Sequence, residues 1–319
     1  MNSATICMLG GTGFVGQHLA YRLTQHGYNV RILTRHRERH RALGVNPGIT
    51  VIETDVHDPE QLTRPLDHCS VVIHLVGILN ESGADNGFHR AHVELPDKIC
   101  RAMLANGVRR LLHMSALNAD ASEKHSMYLK TKGLGEDRVH AADEEGLAVT
   151  SFRPSIIFGN NDSFFNRFAG LLKLSPVVFP LACPHSRFAP VFVGDVADAF
   201  CRAIGNTAAG ERLDLCGPEI FSLQELVDYT REQLGSHCRI IGLGDRMSRL
   251  QARALGLLPG KPFTMDNYYS LQKDSICASN ALPGLGIDPA PIAAVVPGYL
   301  AGKTARGRYS GMRLHSRHD

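Results

Sequence analysis

The short apolar run Ile6-Cys7-Met8-Leu9 passes directly into Gly10-Gly11-Thr12-Gly13-Phe14-Val15-Gly16, and then into a segment with Val15, Leu19 and Leu23 at helical spacing. Few patterns restrict a fold as tightly. Glycine at every third position lets the backbone turn sharply and approach a pyrophosphate, and the helix that follows aims its free N–H groups and positive dipole end at the anion. Strand before and helix after supply the context that an isolated glycine triplet lacks. The pattern predicts a dinucleotide site built on Gly10, Thr12, Gly13, Phe14, Val15 and Gly16.

Downstream, the same rhythm repeats. Gly27 stops the first helix and residues 28–33 read as a second strand, so strand, helix and strand follow within one right-handed parallel unit. Further strands are predicted over 49–53, 71–76, 110–114 and 148–152, with helices over 59–66, 96–106 and 126–142. Their continuous apolar character suits strands covered on both sides. The expected fold class is therefore α/β, a Rossmann-like doubly wound parallel sheet with a smaller C-terminal substrate lobe. Residues 1–159 form the expected NAD(P)-binding domain, with 189–215 returning to it. Beyond Gly159 phenylalanines and prolines break the rhythm, which assigns 160–188 and 216–302 to the lobe and 303–319 to a basic tail. Ser222-Leu223-Gln224-Glu225 reads as a capping box that opens a helix.

Composition excludes several classes. Lys plus Arg (34) nearly balance Asp plus Glu (31) over 319 residues, and a net charge of +3 gives no electrostatic footprint for nucleic acid. The eight cysteines lie far apart, most of them in apolar stretches, and read as reduced, structural thiols. His89 and His92 are the one histidine pair worth weighing as metal ligands, and with no third ligand in reach by sequence no metal is expected. The N-terminus carries no charged leader pattern, and no uncharged stretch approaches the ~18 residues of a membrane helix. A cytoplasmic protein is expected, free or peripheral to the inner face of a membrane. Lys303, Arg306, Arg308, Arg313 and Arg317 stand against Asp319 in the tail, which fits an anionic membrane surface, a partner subunit or a solvated terminus.

Enzymes that use NAD commonly place a carboxylate at the end of the second strand to bind the ribose 2′-hydroxyl. Here the stretch reads Leu33-Thr34-Arg35-His36-Arg37. Guanidinium groups at Arg35 and Arg37 suit a 2′-phosphate, so NADP(H) is favoured over NAD(H), the alternative being the solvated end of a basic helix. Asp55 after the third strand is placed for the adenine amino group, and Gly77 after the fourth for close backbone passage; each is equally readable as a turn residue.

Tyr128 and Lys132 are four residues apart in a predicted helix, hence on one face, and Ser115 ends a predicted strand where open α/β sheets hold their ligands. A phenol with pKa near ~10 is a poor base, but a neighbouring ammonium favours the phenolate. Ser115 would then hold a substrate oxygen, Tyr128 move its proton, and Lys132 lower the tyrosine pKa.

With Gly10 to Gly16, Ser115 and the Tyr128/Lys132 pair, the chain resembles the short-chain dehydrogenase/reductase superfamily in its extended or atypical branch, which includes the NAD-dependent epimerases and dehydratases. The segments 113–119, 128–136, 152–159 and 190–197, with Met265-Asp266-Asn267, are most similar to the nucleotide-binding accessory subunit of respiratory complex I and its bacterial relatives. The resemblance implies that Val56, Val76, Pro154, Ser155 and Ile156 also line the cofactor and that Lys132 grips the nicotinamide ribose. It further implies an oxidoreductase acting on a carbonyl or alcohol, with a quinone-related or nucleotide-sugar substrate. The alternative it implies is a non-catalytic, nucleotide-bound assembly or accessory factor of complex I. Where extended members often carry an asparagine, this chain has His92, followed by Pro96. Arg187 stands where sugar-nucleotide enzymes place an arginine near the diphosphate, and is equally readable as a salt-bridge partner.

Overall fold

A strand covered on both faces needs no polar alternation, and Val71-Val72-Ile73 and Leu111-Leu112 are apolar residue after residue. The computed structural model, which describes residues 4–81, 87–175, 177–205 and 208–300, joins these runs into a seven-stranded sheet. Its strands are Thr5–Leu9, Asn29–Thr34, Ile49–Glu53, Cys69–His74, Arg110–Met114, Ala148–Pro154 and Arg212–Leu215. All neighbours are parallel, and the spatial order is seventh, sixth, fifth, fourth, first, second, third. The order reverses between the first and fourth strands, so the carboxyl ends of these two open the crevice in which doubly wound sheets bind ligands. The expected fold class is the one observed. The basic tail lies outside the described residues.

Two compact units divide the chain: Met1–Pro154, Val196–Leu215 and Ser279–Ile287 in the first, and Ser155–Asp195, Cys216–Ala278 and Asp288–Asp319 in the second. The first unit contains the sheet. The helix Leu95–Ala105 buries Leu95, Ile99, Cys100 and Met103, which join Leu9, Val72, Leu111 and Val149 of the strands in one apolar cluster. Each such aliphatic side chain contributes about 1.5–3 kcal/mol on removal from water.

The helix Met127–Ala141 follows a different rule. Ser126 caps it by accepting from Leu129 N, but its buried residues include Thr131, Lys132, Gly133, Gly135 and Glu136. It sits deep because two glycines remove its side-chain bulk. A Cβ at Gly133 would fall 2.3 Å from the Asp120–Ala121 backbone, and one at Gly135 would fall 1.7 Å from the carbonyl oxygen of His92. Helix and neighbouring turn therefore meet backbone to backbone.

In the second unit, the helices Phe165–Leu174, Leu223–Gln233 and Ile292–Leu300 surround a core containing Phe158, Phe165, Leu226 and Val296. The predicted capping box is present, with the Ser222 hydroxyl accepting from Glu225 N and the Glu225 carboxylate accepting from Ser222 N. One expectation fails here. Cys216 and Cys277 form a disulfide with their Cα atoms 6.0 Å apart, while the other six cysteines are free. A separation of 61 residues hides this pairing from the sequence. Near the bridge, Ser155 donates its hydroxyl to the Ser275 carbonyl at 2.7 Å, and Ser275 exchanges backbone bonds with Arg187 and Ala189.

Helix propensity alone says that Gly135→Ala should stabilise a helix interior by about 0.5–1 kcal/mol. The clash with the His92 carbonyl dominates, and we expect a net loss of at least about 2 kcal/mol in urea unfolding. A variant as stable as the parent would show that the close contact is not needed.

Candidate functional site

The glycine turn is built by close packing. Gly10 has φ +81°, and a Cβ there would lie 2.9 Å from the backbone of Leu75, at the end of the fourth strand. A Cβ on Gly16 would meet the Gly10 carbonyl oxygen at 2.5 Å, so this glycine lets the helix approach the strand it follows. Gly13 N donates to Gly10 O at 3.0 Å, and Gly13 itself is exposed. The helix Phe14–Gln25 starts there with no side-chain cap and no acidic residue in its first turn. Its leading N–H groups and dipole end are thus offered to an anion. Thr12 O accepts from Gln17 Nε2 at 2.8 Å, and Val15 is half-buried. This geometry fits a pyrophosphate.

At the end of the second strand Arg35 is exposed, and Arg37 opens a 3-10 helix, Arg37–Val45. The Arg37 backbone N donates to the Glu53 carboxylate at 2.9 Å, so the next strand brings an acid that the sequence reading did not weigh. Asp55 is exposed and accepts from His57 N at 2.9 Å through its side chain. Val56 and Val76 rest against the apolar cluster of the first unit, and Gly77 is exposed.

Along Met127–Ala141, residues 128, 132 and 136 lie at successive steps of four, on one face. Tyr128 is half-buried, its ring edge-on to Phe88 at 6.2 Å and to His92 at 5.7 Å. Lys132 is buried and donates from Nζ to the Met114 carbonyl at 2.6 Å; a Cβ on Gly77 would lie 3.9 Å from that Nζ. Burial brings the Lys132 pKa down to about 8, against the opposing pull of Glu136. Ser115 is also buried, and its hydroxyl donates to Glu136 Oε2 at 2.8 Å. Arg153 Nε bonds both oxygens of Glu136, at 2.8 and 3.0 Å, and Arg212 Nε lies 3.3 Å from it. Lys132 therefore lies beside Gly77 on the helix face that also carries Tyr128, while the proton of Ser115 is committed to a buried carboxylate. Glu136 was missed by sequence reasoning, although the four-residue step from Tyr128 to Lys132 extends to it.

His92 lies in a wide π turn, Arg90–Glu94, ahead of Pro96. Its Nε2 accepts from Ile78 N at 3.1 Å, so the ring proton sits on Nδ1 and is donated to Thr131 Oγ1 at 2.9 Å. Thr131 passes the chain on to Met127 O at 2.8 Å. His89 faces Glu94 at 3.3 Å, so the two histidines weighed as metal ligands turn to different partners. Two further histidines were unforeseen. His74 and His113, on adjacent strands, are buried, stacked at 5.0 Å and joined Nδ1 to Nδ1 at 2.9 Å. Their Nε2 atoms find no partner among the described residues.

The remaining sequence candidates sit apart in the chain. Pro154 closes the sixth strand, its carbonyl accepting from Leu117 N at 3.1 Å. Ser155 and Ile156 begin the second unit, where the Ile156 carbonyl accepts from Val191 N at 2.9 Å. Arg187 is held by Asp274 through Nε at 2.9 Å and Nη2 at 2.7 Å.

A doubly wound parallel sheet, with a glycine turn after its first strand and a Tyr/Lys helix after its fifth, defines a Rossmann-like protein of the extended short-chain dehydrogenase/reductase type. The chain belongs to the NAD dependent epimerase/dehydratase family, whose model matches residues 6–216. Among its relatives, the mitochondrial NADH dehydrogenase 1 alpha subcomplex subunit 9 of Mus musculus is 28% identical over 303 residues, covering 89% of this chain and 76% of the relative. The ceramide reductase of Caulobacter vibrioides is 34% identical over 200 residues, 62% of this chain and 61% of the relative. The dTDP-glucose 4,6-dehydratase of Streptomyces venezuelae, solved with NAD bound, shares the fold with a TM-score of 0.73 at 18% identity, over 95% of this chain and 98% of that one.

Burial holds His74 down to about 3, His92 to about 2 and His113 well below the usual range, with the Lys132 charge acting in the same direction. Unfolded imidazoles take up protons near ~6.5, so below that pH the unfolded chain binds protons that the folded chain refuses. Stability is then lost as pH falls. Three such groups predict a loss of about 3–4 kcal/mol between about pH 7 and about pH 5.5. Urea unfolding across this range measures it, and His74→Leu/His113→Leu should remove about two thirds of the slope.

Proposed function

We propose that the chain is an NADP(H)-dependent oxidoreductase acting on a carbonyl or alcohol carbon of a quinone-related or nucleotide-sugar substrate. The observation that carries this reading is the buried Lys132 ammonium one helical turn after Tyr128 and beside Gly77. An ammonium removed from water acts on a neighbouring phenol far more strongly than an exposed one, and it favours the phenolate. Tyr128 is thereby suited to hold and pass a proton at the substrate oxygen. Ser115 enters as a positioning residue, since its hydroxyl ties the end of the fifth strand to Glu136. Gly10, Thr12, Gly13, Phe14, Val15 and Gly16 would cradle the pyrophosphate. Arg35 and Arg37 would face the 2′-phosphate, Asp55 and Val56 the adenine, and Val76, Gly77, Lys132 and Pro154 the nicotinamide half. The nicotinamide, when bound, supplies or accepts the hydride.

A second reading, an accessory subunit of respiratory complex I, draws support from the relatives of that description, which align over most of the chain. It predicts that cofactor is retained without turnover. The two readings separate on one preparation. Mass spectrometry of the dinucleotide released from the purified protein should return NADP(H), and its absorbance should change on addition of a reducible quinone, a long-chain ketone or a nucleotide sugar. Tyr128→Phe should cost at least ~100-fold in that rate while retaining cofactor. No absorbance change with any substrate would set the enzymatic reading aside. Separately, Arg35→Ala should weaken NADP(H) binding by roughly tenfold and leave NAD(H) nearly unchanged; equal losses would overturn the phosphate assignment.

A further inference from the structure

The helix Asp245–Gly256 is turned inside out relative to a surface helix of a soluble domain. Only Ser248 and Ala252 are buried along it. Met247, Leu250, Ala254 and Leu257 recur at steps of three, four and three, which at about 100° per residue makes a single stripe on the side away from those two. Met247 is 52% exposed, Leu250 56%, Leu257 89% and Leu258 49%. The chain stays wound past the helix end, with Leu257 N on Ala254 O and Leu258 N on Leu255 O. Gln251 donates to Pro180 O at 3.0 Å and so seats the helix beside the strand Val178–Leu181. Val178 of that strand, and Ile241 of the strand paired with it, are exposed as well. Isolated apolar residues on a surface need no explanation, but an aligned set of this size does.

The charges say what covers it. Within the helix Arg246, Arg249 and Arg253 stand against Asp245 alone, and Asp245 is occupied by Arg249 at 3.2 Å and by the Tyr268 hydroxyl. Arg246 and Arg253 are exposed beside the stripe and form no ion pair among the described residues. A second copy of the chain docked stripe to stripe about a two-fold axis would gather the unpaired arginines of both copies into one interface. A surface of anionic headgroups over acyl chains matches both halves of the pattern.

We propose that the Met247–Leu258 stripe, flanked by Arg246 and Arg253, is a docking surface for an anionic phospholipid membrane. The apolar side chains enter the boundary between headgroups and acyl chains, and the guanidinium groups meet lipid phosphates. The inference rests on the second unit alone and stands apart from the dinucleotide site.

The test is sedimentation of the full chain with vesicles of phosphatidylcholine, alone or with roughly one third phosphatidylglycerol. The parent should partition onto the anionic vesicles at least ~10-fold better than onto the neutral ones, and less well at high salt. Leu250→Glu/Leu257→Glu should reduce that partition about tenfold or more with an unchanged thermal midpoint, because both side chains already face solvent. Arg246→Ala/Arg253→Ala, which leaves the apolar stripe intact, should reduce it roughly tenfold to thirtyfold. Undiminished sedimentation of both variants overturns the proposal, since the affinity would then lie elsewhere in the chain. A solution mass of twice the chain that Leu250→Glu/Leu257→Glu halves also overturns it, and makes the stripe a protein interface.

Discussion

Everything at the Tyr/Lys helix depends on a steric fact: at Gly133 and Gly135 there is no side chain between the helix and the backbone it lies on. Any Cβ would have to push the helix outward, and Lys132 would leave the Met114 carbonyl that partners its ammonium. Close approach also explains how a helix with so little apolar surface is so deeply buried. It is held by main-chain proximity and by polar contacts with defined partners, among which Glu136 links Ser115, Arg153 and Arg212. An unpaired carboxylate at that depth would be severely penalised, so the two arginines and the serine stabilise one another's presence.

The sheet was readable from the sequence because its signals are local. Continuous apolar runs bounded by turn residues located Arg110–Met114 residue for residue, and the Ser222/Glu225 pattern marked its helix start by chemistry that acts within four residues. Boundaries slipped where a strand ended against polar residues: the fourth strand is Cys69–His74, two residues earlier than its apolar run suggested. What the sequence could not carry was direction and distance. The step from Tyr128 to Lys132 put both on one face, but nothing local says that the Ser115 hydroxyl turns toward a carboxylate twenty-one residues away. The same limit hid the disulfide, the His74–His113 pair and the Glu53 carboxylate at Arg37, each made by segments that meet only through the fold.

The buried histidines divide the labour around Lys132. His92 is used from both ring nitrogens, and its tautomer is dictated by the Ile78 N–H it must accept. His74 and His113 satisfy only each other. All three stay neutral at ordinary pH, so none of them adds a second positive charge beside Lys132. The lysine's own depressed pKa follows from the same dryness.

Spacing set by main-chain contact has a consequence for how such a chain can diversify. Where helices are separated by interlocking side chains, each substitution shifts the neighbours a little, and chemistry carried on those helices drifts with the packing. Here the distance between the reactive helix and its support is the thickness of two peptide backbones. Residues further along the same elements can change size or polarity without altering that dimension, so one rigid mount can carry many different linings.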